Sequence, residues 1–95
     1  MVKVKKSHIP AAQEIIGNKI IRTFSNDVHE NELKWHWDEK DRNIRVLNSS
    51  DWYIQFDNDL PIKLSHGKEL FIKAGEWHRV IKGSTDLKVE IVENQ

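Results

Sequence analysis

His36-Trp37-Asp38 sets an imidazole and a carboxylate two residues apart. On a β-strand alternate side chains share a face, so His36 and Asp38 point one way while Trp35 and Trp37 point the other. Arg42 follows four residues after Asp38, and His78 stands much further along the chain. Two imidazoles and one carboxylate, brought together, form the donor set of the facial triad that holds Fe(II), and mixed nitrogen and oxygen donors also suit Mn, Ni or Zn. Arg42 carries a planar fork that captures a carboxylate or phosphate with two hydrogen bonds. Two readings stand open on residue type. In one, His36, Asp38 and His78 hold a divalent metal and Arg42 binds an anionic group of a small ligand. In the other, Asp38 pairs with Arg42 or Arg79 in a metal-free network, because a guanidinium beside a divalent cation is repulsive and keeps its charge at any working pH.

The remaining polar candidates are weaker. His8, His29 and His66 fall in turn-like or terminal stretches and read as solvated. Glu32 and Lys34 share the parity of His36, so one of them reaches the pocket mouth. Asp41 and Glu76 read as solvent-facing. Among the four tryptophans, Trp52 alternates with Ile54 and Phe56 as core against Tyr53 and Gln55. Trp35 and Trp37 face outward and need cover by another element, the N-terminal segment or a second subunit, of which a homodimer is the favoured expectation.

The elements that position these residues are short strands. Val2 and Val4 alternate with lysines as a first strand. Residues 9–16, between Pro10 and Gly17, form the one short helix expected. Ile20 to Phe24, Glu32 to Trp37, Ile44 to Leu47 and Trp52 to Phe56 follow as strands, with a turn at Asp57-Asn58-Asp59 and a short edge strand after Pro61. His66-Gly67 turns the chain before Leu70 to Ile72, His78 to Ile81 and Leu87 to Val92. Strands at such spacing predict an all-β antiparallel barrel or jelly roll, as a single domain over 1–95.

Composition removes several function classes. The 15 basic and 15 acidic residues balance, which leaves no general attraction to nucleic acid or to a membrane surface. Without cysteine there is no disulfide, thiolate zinc site or cysteine nucleophile. No apolar run is long enough to span a membrane and the start has no signal-peptide pattern, so the expected location is cytoplasmic.

Gly67, Gly75 and His78 stand at the spacing of the second motif of the cupin superfamily, which runs Gly, five residues, Pro, one residue, Gly, two residues, His, three residues, Asn. Lys73 replaces the proline and Lys82 the asparagine. The first cupin motif, His-x-His followed by a glutamate, resembles His36-Trp37-Asp38 with Arg42, where Asp38 replaces the second histidine, Arg42 the glutamate, and the preceding glycine is missing. The resemblance covers about half the chain and implies a cupin-type barrel whose topology brings His36 and His78 together. It is similar to small stand-alone cupins of uncharacterised role. It implies a divalent-metal site binding, and in some members transforming, a small polar metabolite by oxygenase, isomerase or lyase chemistry; the alternative is a metal-free accessory module. The 2-oxoglutarate-dependent oxygenases share the barrel and the His-x-Asp…His order, and Lys88 stands where they carry a basic residue for the cosubstrate.

Overall fold

A computed structural model describes residues 11–94. Eight strands, β1 (Ala12–Ile16), β2 (Lys19–Phe24), β3 (Arg42–Val46), β4 (Tyr53–Phe56), β5 (Ile62–Lys63), β6 (Glu69–Ile72), β7 (His78–Ile81) and β8 (Leu87–Glu93), form two antiparallel sheets. The larger runs β1-β2-β8-β3-β6 and the smaller β5-β4-β7. Their facing sides enclose an apolar core that includes Trp52, Ile54, Phe56, Leu64, Val46, Leu87, Val89 and Ile91. The all-β architecture is as expected, and so is the inward alternation of Trp52, Ile54 and Phe56 with Tyr53 exposed. Trp52 is fully buried, and its indole N–H donates to the Thr85 carbonyl. That bond satisfies the polar end of the largest core side chain.

β8 is the spine of the larger sheet. It pairs with β2 on one side and β3 on the other, matching Ile91 with Ile20 and Ile44. Its inward residues run Leu87, Val89, Ile91, Glu93 from the floor of the interior toward the rim.

Two expected elements differ. The helix over 9–16 is instead strand β1 across Ala12–Ile16; residues 9 and 10, like the Val2–Val4 strand, lie outside the described residues. Ile15-Ile16 and Ile20-Ile21 flank Gly17-Asn18, which is a two-residue hairpin turn with Gly17 at φ +61°, and β-branched pairs around a glycine turn favour pairing over helix. The strand expected over Glu32–Trp37 is a 3-10 turn at Glu30–Glu32 followed by irregular chain. The His29 ring nitrogen accepts from the Asn31 N–H and starts that turn. Beyond it, residues 36–41 spend their backbone bonds on His78, on Gly75 of the β6–β7 turn and on Asn94 rather than on a continuous ladder. Among the described residues no helix is long and apolar enough to cross a membrane.

Candidate metal centre

His78 opens β7, where it faces inward with Val80 and is the one buried polar residue among the described residues, at 4% exposure. Pairing with β4 sets it opposite Phe56. His36 is brought in by a single reciprocal bridge: its N–H donates to the His78 carbonyl at 3.0 Å, and the His78 N–H donates to the His36 carbonyl at 2.9 Å. The two imidazoles therefore stand side by side, ring centroids 4.3 Å apart. Asp38 is placed by the β6–β7 turn, whose Gly75 N–H donates to the Asp38 carbonyl at 2.9 Å. Gly75 sits at φ +81°, a conformation that costs a side-chain-bearing residue dearly, so the glycine of the motif sets the turn that grips the site. Asp41, expected to face solvent, is half-buried and accepts the Ala74 N–H at 2.8 Å, a second tie between the same segments.

The protonation pattern follows from these contacts. The Nδ1 atom of His36 lies 2.9 Å from the Lys34 carbonyl, and that of His78 lies 2.8 Å from the Glu76 carbonyl. A carbonyl only accepts, so each Nδ1 carries hydrogen and each neutral ring keeps its lone pair on Nε2. The Nε2 of His78 lies 3.4 Å from Asp38 Oδ2, and that of His36 lies 4.0 Å from Oδ1. Asp38 Oδ2 is buried and has no hydrogen-bond partner among the described residues. Three electron-pair donors thus converge with no hydrogen between them, and donor atoms of His36, Asp38 and His78 all lie within 4.8 Å of one another. Such a set suits a cation, which would meet the unpartnered carboxylate oxygen and both lone pairs. Burial pushes the His78 imidazole below its ordinary pKa, with the Glu76 carbonyl opposing, His36 adding to the fall, Asp38 opposing and Arg42 adding. A proton is therefore disfavoured as that cation, and the residues present fit a divalent metal.

Arg42 stands behind this set rather than within it. The β3–β8 register puts it opposite Glu93, whose Oε2 accepts from its Nε at 3.1 Å and its Nη2 at 2.6 Å. Its Nη1 lies 3.4 Å from Asp38 Oδ1, the oxygen away from the orphaned Oδ2. Arg79 is not a partner of Asp38: it donates to Gln55 and lies 4.9 Å over the Trp35 ring. Lys88 is exposed, because it alternates with the inward Leu87 and Val89 and so faces away from the pocket. Glu32 and Lys34 both border the cavity. Trp37 is about half exposed, and it too borders the cavity because its segment is not a regular strand.

The centre lies on the wall of a cavity of about 1260 Å³ lined by residues of both sheets. Polar residues of that cavity escaped the sequence reading, Glu93 and Arg22 among them. Glu93 continues the inward alternation of Leu87, Val89 and Ile91, and Arg22 lies between Ile20 and Phe24 on the inward side of β2. Period-two counting through Lys19–Phe24 would have found Arg22, which the apolar run around it concealed. Burial, reinforced by Arg42, pushes the Arg22 guanidinium down to about 10, while Asp38 and Glu93 pull the other way.

No protein-family model matches this sequence, and no curated protein matches it. Solved structures do match. A cupin-2 domain containing protein from Shewanella frigidimarina is similar over 90% of this chain and 79% of its own, with 18% identity and a TM-score of 0.61. A chain from the structures of the DMSP lyases RdDddP and RnDddQII is similar over 81% of this chain but 37% of its own, with 12% identity and a TM-score of 0.69. Fe(II) HppE in complex with substrate is similar over 88% of this chain and 52% of its own, with 13% identity and a TM-score of 0.64. Likeness at such identities concerns the fold, and this chain spans about a third to a half of the two enzymes.

Proposed function

Starting from the cupin fold that the chain has in common with these structures, we propose that it is a small metal-binding cupin. In it His36, Asp38 and His78 hold a divalent cation, Fe, Mn, Ni or Zn, at the mouth of a pocket for a small polar metabolite. One observation carries the reading: the buried Asp38 Oδ2 has no hydrogen-bond partner among the described residues and faces the Nε2 lone pair of His78 at 3.4 Å. A metal bound there supplies Lewis acidity, or a redox centre if it is iron, next to the cavity. The chain's own residues do the rest. The Lys34 and Glu76 carbonyls hold both imidazoles in the tautomer that offers Nε2. Arg42, expected as a ligand anchor, has its charge met by Glu93 and Asp38; in this reading it occupies Oδ1 and turns Oδ2 toward the histidines. Ile44, Ile54 and Ile72 line the apolar part of the pocket and limit water there. The likeness to an Fe(II) enzyme and to lyases supports metal chemistry as a class and leaves the reaction open among oxygenase, isomerase and lyase. The reading includes a homodimer, supported by the exposed Trp35 and Trp77 rings.

The test is metal analysis and calorimetric titration of protein purified without a histidine tag. Near-stoichiometric uptake of one of these metals, lost in His78→Ala, is expected. Wild type that binds metal no better than His78→Ala would overturn the reading. It would leave the second one, a metal-free module, which the Arg42–Glu93–Asp38 network favours.

A further inference from the structure

Arg22 and Arg42 are held in the same way and neutralised differently. Each stands directly opposite its partner across two antiparallel strands, Arg22 opposite Gln13 and Arg42 opposite Glu93. Each is gripped along its Nε/Nη2 edge by one oxygen: Glu93 Oε2 at 3.1 and 2.6 Å for Arg42, Gln13 Oε1 at 2.9 and 2.6 Å for Arg22. The partner of Arg42 is a carboxylate and that of Arg22 is a neutral amide. Arg42 extends its Nη1 to a second carboxylate, Asp38, whereas the Nη1 of Arg22 has no partner among the described residues. No acidic side chain among them lies within salt-bridge distance of Arg22. Residues 1–10 contain no Asp or Glu. The result is a half-buried cation, oriented by a neutral amide and in direct contact with no carboxylate of the described residues, on the wall of the cavity that holds His36, Asp38 and His78. Partial burial of an unpaired charge is costly, and an anionic ligand removes the cost.

We propose that Arg22 is the anion subsite of this cavity, its open Nη1/Nη2 edge taking the oxyanion, carboxylate or phosphate, of the metabolite that fills the pocket. The subsite rests on the reading of the cavity as a metabolite pocket, and it does not require the metal. The fork of the guanidinium matches two oxygens of either group. Gln13 fixes its direction and, being neutral, leaves the charge for the ligand. Glu93 does the opposite for Arg42, which removes that arginine from competition.

The test is calorimetric titration of succinate, inorganic phosphate and the neutral diamide of succinate into the whole chain after chelation of metal. At least one of the two anions should bind and the diamide should not, and which anion binds identifies the oxyanion. Arg22→Met and Gln13→Glu should each weaken the anion by ~10-fold or more. Gln13→Glu is the sharper variant: it keeps the size of the side chain and gives Arg22 an internal carboxylate, so it reports even if Arg22→Met does not fold. Failure of wild type to bind either anion, equal binding of the diamide, or unchanged affinity in Gln13→Glu overturns the proposal. Wild type that takes none of Fe(II), Mn(II), Ni(II) and Zn(II) in parallel titrations yet loses its anion in Gln13→Glu supports the subsite and rejects the metal reading alone.

Discussion

The two histidines of the centre come from unlike parts of the molecule. His78 belongs to a strand, is 4% exposed, and has Phe56 opposite it across a regular ladder. His36 belongs to irregular chain, its side chain is half exposed, and its backbone is tied by one reciprocal bridge to His78 itself. Asp38, two residues beyond that bridge along the same irregular stretch, depends on the Gly75 N–H. One wall of the site is therefore built by the sheet, and the other is hung from it by a few backbone bonds. If the centre binds metal as proposed, the ligand on the sheet would be the better preorganised, and the one on the segment held by fewer bonds would contribute less affinity.

The largest effect expected from this asymmetry is on metal uptake. His78→Ala should abolish calorimetrically measurable binding, and His36→Ala should leave a weaker site. Equal loss in the two variants would mean that the hung segment is as rigid as the sheet. Next comes stability, read by urea unfolding. Glu93→Ala strips Arg42 of its shortest contact and should cost about 1–3 kcal/mol, discounted for the partial exposure of Glu93. Asp38→Ala leaves Arg42 paired with Glu93, so its cost should be ~1–2 kcal/mol rather than the ~3–5 of stranding a buried charge. A larger cost for Asp38→Ala than for Glu93→Ala would move the anchor of the network to Asp38.

Two glycine turns differ in what they hold. Gly67 and Gly75 have nearly the same backbone angle, φ +85° and +81°, and an added Cβ meets nothing within 4 Å at either. Alanine at each should cost about 1–2 kcal/mol from backbone strain alone. Only Gly75→Ala should also lower metal affinity, because only that turn holds Asp38. The smallest effect is the pH dependence of the metal-free protein. The His78 imidazole is held below its ordinary 6.5, so the unfolded chain binds the extra proton first. Stability should be level above that pH and fall as pH drops below it, until the folded-state imidazole also protonates. His78→Gln should remove this component of the fall, and an unchanged profile would count against a buried neutral imidazole.

The same contrast explains what could be read in the sequence. The sheet wall was legible: Trp52, Ile54 and Phe56 alternate, and Gly67, Gly75 and His78 stand at fixed separations that the turns need. The joining of His36, Asp38 and His78 was legible only through the cupin resemblance, since no local pattern links residues so far apart. The hung wall was misread as a strand because Trp35 and Trp37 bracket His36 with perfect alternation, yet its backbone partners lie in a distant turn that no local period encodes. β1 was misread because a proline and a glycine bracket a stretch that a hairpin explains as well as a helix. Arg22 was overlooked for a different reason: a charged residue inside an apolar strand is taken as outward unless parity is counted, and here parity turns it in.

β8 gives the cavity a direction. Its inward side chains pass from Leu87 through Val89 and Ile91 to Glu93, a climb of ~20 Å at the usual rise per strand residue. The wall is a polarity gradient with greasy depth and ionic rim, and its steps are locked by ladders on both sides. In the metabolite pocket proposed above, a guest with one charged end and one hydrocarbon end would lie along this wall with its head at the rim, whereas one charged at both ends would have to stay short or carry an ion into the greasy half. On that reading the gradient would set a length limit for polar guests and admit longer ones only when their tails are apolar.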